Sequence, residues 1–197
     1  MRAWQYNKYG GGATSLEQVE IPVPKAGKNQ ILLKIHASSV NPVDWKLQTG
    51  FAKLVIRLTL PITPGLDMAG TVAAVGSGVT HLSVGDRVAV QTNMTKQGAL
   101  AEYAAVDTKA AIAKLPPEVS FEQAAGLPVA ARTVLQGLTK AGAFPKSNGR
   151  VLVLGGSGGV GHYAVQVAKA AGAHVTATAG ARNFDLLKSL GADEVLD

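Results

Sequence analysis

The sequence predicts a β domain followed by an α/β domain. Residues 1–125 read as an irregular antiparallel barrel or sandwich, and 126–197 as the first half of a doubly wound parallel sheet. Three observations carry this. Short apolar runs separated by Gly, Pro and Asn fill the first part. A double proline, Pro116-Pro117, breaks that texture. From Arg150 onward the order becomes apolar run, glycine-rich turn, helix-like stretch, apolar run, helix-like stretch, apolar run.

Four runs in the first part read as strands: 31–40, 70–79, 86–92 and 100–107. Each is rich in Val, Ile and Ala and is bounded by turn formers. After the prolines, Ser120 is a candidate N-cap, and the stretch from Pro128 has a helical pattern with proline near its start. The remainder follows the grammar of a βαβαβ unit, with strands near 151–154 and 174–180 and a short third strand at the end.

The chain has 197 residues, 47% hydrophobic and 16% charged, enough to bury a core in one or two domains. No apolar run is long enough to cross a bilayer as a helix. The first residues, MRAWQYNKYGGG, lack the basic and apolar regions of a secretory signal. There is no cysteine, and His36, His81, His162 and His174 are scattered, so no metal site is expected. The net charge of +6 is localised. Between Glu122 and Asp185 there is no acid, while Arg132, Lys140, Lys146, Arg150, Lys169 and Arg182 fall there. Such a field favours a polyanionic ligand. The basic residues are spaced singly and are not interleaved with aromatics, which argues against nucleic acid as the main partner.

Gly156-Ser157-Gly158-Gly159-Val160-Gly161 fits G-x-G-x-x-G, follows an apolar run and opens a helical stretch. That context makes it a dinucleotide loop. The early glycines let backbone approach a pyrophosphate, Gly161 lets helix and strand pack closely, and the helix N-terminus offers unpaired N–H groups. The competing reading is a strand-to-helix turn that needs glycine only for packing. Tyr163, on that helix, reads as a packing residue.

About 20 residues past such a loop, an acid normally binds the ribose 2′-hydroxyl of NAD. Here the second apolar run delivers Gly180-Ala181-Arg182-Asn183. Gly180 leaves space, Arg182 offers a planar fork suited to phosphate, and Asn183 can add a neutral hydrogen bond. The expected cofactor is therefore NADP(H), with Arg182 reading the 2′-phosphate. The plainer alternative leaves Arg182 solvated at a helix entry.

On these motifs the chain resembles the medium-chain dehydrogenase/reductases, in the zinc-independent quinone oxidoreductase (zeta-crystallin-like) branch. Within that branch it resembles the plant chloroplast-envelope quinone oxidoreductase homologues. The resemblance runs through VNPVDWKLQTG (40–50), which matches the family's N-P-x-D loop, and then the stretches 61–88, 98–107, 124–138 and 180–197, in order. It implies a GroES-like catalytic domain over 1–125 and the N-terminal half of an NADP(H)-binding Rossmann domain over 126–197. It implies an active site in the cleft between the two, in proteins that are often dimers or tetramers. It further implies NADPH-dependent reduction of quinones, or of the C=C bond of α,β-unsaturated carbonyls, without zinc. Asn41 stands where zinc-dependent members carry a cysteine. Thr133 matches a threonine near the nicotinamide ribose, and Arg132 departs from a position that is usually small.

The resemblance also places Asn41, Asp44 and Lys46 near the nicotinamide, as candidates for donating to the cofactor amide or substrate oxygen and for stabilising an enolate. For Asp44 a buried cap is an equal reading; Trp45 reads as core; Asp67 and Asp86 read as turn-fixing residues. A noncatalytic dinucleotide- or RNA-binding protein is the alternative function. The expected compartment is the cytoplasm, with a chloroplast envelope association as the alternative. Only three strands of the second sheet are present. The chain is therefore expected to be a piece of a longer protein, with an open apolar edge at its first Rossmann strand and weak activity alone.

Overall fold

The computed structural model describes residues 1–146 and 148–197. The chain divides into two compact units, Met1–Val129 and Ala130–Asp197.

In the first unit, β1 (Arg2–Gln5) and β2 (Glu17–Glu20) form an antiparallel ribbon. The main sheet has β3 (Gln30–Ser39), β4 (Asp67–Val75), β5 (Arg87–Gln91), β6 (Tyr103–Asp107) and β7 (Ala111–Lys114). Its order is β6-β3-β4-β5-β7, antiparallel throughout. The expected barrel is not closed, because the two edge strands β6 and β7 do not pair with each other. The sheet is nevertheless strongly coiled. Flat, it would hold its edges about 19 Å apart, at about 4.8 Å per strand. The four steps from Asp107 to Ala111 reach at most about 14 Å. The chain itself closes the corner where a hydrogen-bond ladder does not. β3 is irregular at Leu32/Leu33 and at Ile35/Ala37, which adds bend.

Alternation sorts the side chains. Ile31, Leu33, Met68, Val72, Val88 and Val90 face one core. Each such residue contributes about 2 kcal/mol relative to exposure. On the other face, Ala69 and Ala89 meet Ala124 and Ala125 of α2 (Phe121–Ala125). Small residues on both sides let that helix lie close. Ser120 caps α2, accepting from the Gln123 N–H while the Gln123 side chain accepts from the Ser120 N–H. The double proline is held by Arg87, whose guanidinium donates to the carbonyls of Pro116, Pro117 and Val119. The same group lies over the Phe121 ring at 4.6 Å.

Residues 42–49, expected as loop, form helix α1 (Pro42–Thr49). Asn41 is extended, Pro42 presets the first helical φ, and the Asp44 carboxylate accepts the Asn41 N–H at 2.7 Å. Gly50, at φ 80°, ends it. The run lacks a clear apolar face, which is why periodicity did not reveal it.

The second unit begins within α3 (Pro128–Lys140). It continues through β8 (Arg150–Val153), α4 (Gly161–Ala170), β9 (His174–Thr178), α5 (Phe184–Ser189) and β10 (Glu194–Leu196). The strands are parallel in the order β10-β9-β8, which is the 3-2-1 half of a doubly wound sheet. Val153, Val175, Ala177, Val165 and Leu187 form the core. β8 is paired on one side only, and Leu152 beside that edge is 59% exposed. Among the described residues, no helix is long and apolar enough to cross a membrane.

Candidate functional site

The glycine loop lies between β8 and α4. Its sharp turn is at Gly155, with φ +67°, one residue before the motif begins. Gly161 explains the last motif glycine: a Cβ there would sit 2.2 Å from the Gly155 carbonyl oxygen and 2.8 Å from the Gly156 Cα. The helix N-terminus therefore packs directly on the turn. Thr178, at the end of β9, holds the loop from the other side. Its Oγ1 accepts the Gly155 N–H at 3.1 Å, and its carbonyl accepts the Gly156 N–H at 2.8 Å. The backbone N–H groups of Ser157, Gly159 and Val160 have no acceptor among the described residues, and Gly158, Gly159 and Val160 are exposed. A row of free amides at the start of a helix takes an anion. Tyr163 packs its ring against His162 at 4.0 Å.

The turn after β9 carries the other expected ligands. Gly180 is exposed, with nothing within 4 Å of an added Cβ. Ala181–Asn183 form a single 3-10 turn. Asn183 reaches back and donates to Ser157 Oγ at 3.2 Å. Arg182 is exposed, and no acceptor engages its guanidinium among the described residues. This group of residues fits a dinucleotide: free amides for a pyrophosphate, and an open cationic fork where a ribose phosphate would lie. Thr133 and Arg132 are exposed on α3.

The first unit holds a second cluster around α1. Asp67 opens β4 and is fully buried. Its carboxylate accepts from Ser39 Oγ at 3.2 Å and from Asn41 Nδ2 at 3.0 Å. The Val129 N–H also reaches both of its oxygens, at 3.1 Å each. Burial pushes its pKa up, against the pull of Val129, Asn41 and Ser39. Asp67 is thus a buried acceptor rather than the turn-fixing residue the sequence suggested. Asp86 does fix a turn, accepting the Ser83 N–H at 2.9 Å. Asp44 is 6% exposed. Burial pushes its carboxyl up to about 6; the Asn41 N–H opposes this, the Asp67 carboxyl adds to it, and the Leu66 backbone opposes it.

Asp44 also lines an apolar cavity of about 200 Å³, with Leu16, Val40, Trp45 and Leu100. Trp45, expected in the core, is instead 53% exposed and forms a wall of that cavity. Asn41 and Asp44 therefore come together as expected, joined by a backbone bond. Lys46 does not join them: it is exposed, and its ammonium lies over the Trp45 ring at 5.7 Å. Sequence reasoning missed Gly155, Thr178 and the acceptor role of Asp67. Threonine at the end of the second strand was the one signal that could have revealed the loop's support.

Comparison with known proteins places this geometry. Residues 27–117 match the alcohol dehydrogenase GroES-like domain, and 159–197 match the zinc-binding dehydrogenase family. The whole chain is 51% identical to the chloroplast envelope quinone oxidoreductase homologue of Arabidopsis thaliana and spans 61% of that protein. It is 41% identical to that plant's chloroplastic NADPH-dependent alkenal/one oxidoreductase, spanning 52% of it. Among solved structures, the Escherichia coli quinone oxidoreductase complexed with NADPH matches the full chain with a TM-score of 0.85 at 32% identity, over 58% of its own length. The second family carries zinc in its name, but the donor set here does not fit that metal. The chain lacks cysteine, and no three His, Asp or Glu side chains converge among the described residues. Two family matches in order show that the chain carries an alcohol dehydrogenase GroES-like domain followed by a part of the zinc-binding dehydrogenase domain, and along its whole length, which spans 52–62% of theirs, it is similar to quinone oxidoreductases and their homologues.

Proposed function

We propose that this protein is an NADPH-dependent reductase of quinones or of the C=C bond of α,β-unsaturated carbonyls, working without zinc. The observation that carries the reading is the pairing of free loop amides at Ser157, Gly159 and Val160 with an exposed, unpaired Arg182 where an acid would select NAD. The names of the two Arabidopsis relatives support the chemistry. When bound, NADPH supplies a hydride from its nicotinamide. The residues of this chain bind and orient. The glycine loop takes the pyrophosphate, and Arg182 and Asn183 take the 2′-phosphate end. The apolar cavity beside α1, with Trp45 as a wall, receives the acceptor and keeps water from it.

The compartment follows the same relatives: a chloroplast, associated with the envelope surface, rather than the cytoplasm. The assembly is a homo-oligomer, to be read from sedimentation. The test of the activity is oxidation of NADPH by the purified full-length protein with a small quinone and with a medium-chain enone. Turnover that saturates in NADPH and requires an acceptor supports the reading. No oxidation with either acceptor contradicts it and turns attention to RNA binding, whose affinity should fall steeply with salt.

A further inference from the structure

We infer that Asp44 is the proton donor of the proposed reduction, its carboxyl O–H protonating the enolate formed when hydride reaches an enone seated in the cavity beside α1. The inference rests on the reductase reading above.

Hydride addition to the β-carbon of an enone leaves a carbanion-like α-carbon and an oxyanion, and something must supply a proton. The cavity offers little choice. Its lining is apolar apart from Asp44 and Gln48. The Gln48 amide is already committed, donating to the Gly12 carbonyl at 2.7 Å and to Ser15 Oγ at 2.6 Å. Asp44 is half committed. Its Oδ2 accepts the Asn41 N–H, while Oδ1 has no hydrogen-bond partner. The Leu66 backbone N–H draws on the same carboxyl and works against the rise in its pKa, less strongly than burial works for it. A buried carboxyl oxygen that makes no hydrogen bond of its own is poorly stabilised as an anion and is the natural seat for a proton.

The neighbouring charges point the same way. Asp67 faces Asp44 from β4, and Tyr6 faces it from the end of β1. Neither is a cation, and the one cation on α1 near the cavity, Lys46, is turned to the Trp45 ring. Asp67 accepts from three groups and Asp44 from one. Two nearby carboxyls with such unequal support divide into a charged member and a protonated one. Here the charged member is Asp67, and the proton sits on the residue that lines the cavity.

The step balances. The C=C bond gains a C–H bond at the β-carbon from hydride. The Asp44 O–H bond breaks, and a C–H bond forms at the α-carbon. The electron pair of the broken O–H bond stays on the carboxylate, which regains its proton from water. One NADPH and one proton are consumed per double bond. A reduced quinone differs, because its oxygens exchange protons with water directly and need no placed donor.

The test has two arms. In the absence of cofactor, the side-chain carbon resonance of Asp44 is followed by NMR from pH 3 to 9. A midpoint well above that of exposed aspartates in the same spectrum is expected, and an ordinary midpoint would overturn the proposal. In the second arm, turnover with a medium-chain enone and with a small quinone is measured from pH 5 to 8 for the wild type and for Asp44→Asn, which keeps an acceptor for the Asn41 N–H. Enone turnover by the wild type should fall about tenfold per pH unit above the midpoint. In the variant it should drop more than 100-fold at pH 6 and lose that slope. Enone turnover unchanged in the variant, or a wild-type profile flat across the range, overturns the proton donor and leaves the reductase reading standing. Should the variant fail to fold, the wild-type profile decides alone. No turnover with either acceptor overturns both.

Discussion

Asn183 donates its side-chain amide to the Ser157 hydroxyl at 3.2 Å, joining the turn that carries Arg182 to the glycine loop 26 residues earlier. The bond makes one surface of two segments, so the spacing between the free loop amides and the backbone of the Arg182 turn is set before any ligand arrives. Preorganisation of this kind raises affinity by lowering the ordering cost of binding. Asn183→Ala should therefore weaken NADPH binding by about 5- to 10-fold, while a half-exposed hydrogen bond costs the fold only about 1 kcal/mol. Calorimetric titration beside a urea melt separates the two effects.

The glycines of the loop should differ by what a methyl group would meet. At Gly161 it meets backbone at 2.2 Å; at Gly156 it meets the side chains of Ala177 and Leu187 at 3.0 and 3.1 Å; at Gly159 it meets nothing within 4 Å. Gly161→Ala should cost about 3 kcal/mol or more, Gly156→Ala about 1 kcal/mol, and Gly159→Ala close to nothing. A Gly159→Ala protein as unstable as Gly161→Ala would show that the helix does not pack as described.

Asp67 holds the first unit's cluster together. Asp67→Ala would leave Asn41 Nδ2, Ser39 Oγ and the Val129 N–H facing a buried void. The expected loss is on the order of 3 to 5 kcal/mol. Equilibrium unfolding measures it, and a loss below about 1 kcal/mol would mean that water replaces the carboxylate without cost.

Asp44 makes stability depend on pH. Its folded pKa of about 6 lies above the ordinary 3.8. An acid whose pKa rises on folding binds its proton more tightly in the folded state. Its contribution is whole below about pH 4 and is lost as pH climbs through 6. The protein should lose up to about 3 kcal/mol from this group between pH 4 and pH 8. Asp67, also raised, acts in the same direction. In Asp44→Asn the slope should shrink without vanishing. Urea melts at pH 4.5 and pH 8 compare them.

Much of this was legible in the sequence because it is local. The motif from Gly156 to Gly161, the parallel strand order and the missing acid before Arg182 depend on residues close together in the chain. Four of the strands of the first unit announced themselves through apolar runs punctuated by Gly, Pro and Asn. Helix α1 did not, since it is built by a cap and a proline rather than by periodicity. Nor did the partners of Asp67, which come from residues 39, 41 and 129 and meet only on folding. The turn at Gly155 was hidden among adjacent glycines, where composition cannot say which one carries the positive φ. The barrel expected for the first unit fails to close because its edge strands are short and joined by a corner, a property of sheet coiling that no single strand records.

The central claim is that this loop binds NADP(H) and that Arg182 reads its 2′-phosphate. Dissociation constants for NADPH and NADH, measured by titration calorimetry on the wild type and on Arg182→Ala, test it most directly. NADPH should bind the wild type at least about 10-fold more tightly than NADH. The variant should lose about 1.5 to 3 kcal/mol of NADPH affinity, the range for a hydrogen bond to a charged group, with NADH unchanged. Equal affinity of the wild type for both cofactors, or an equal loss for both in the variant, would contradict it.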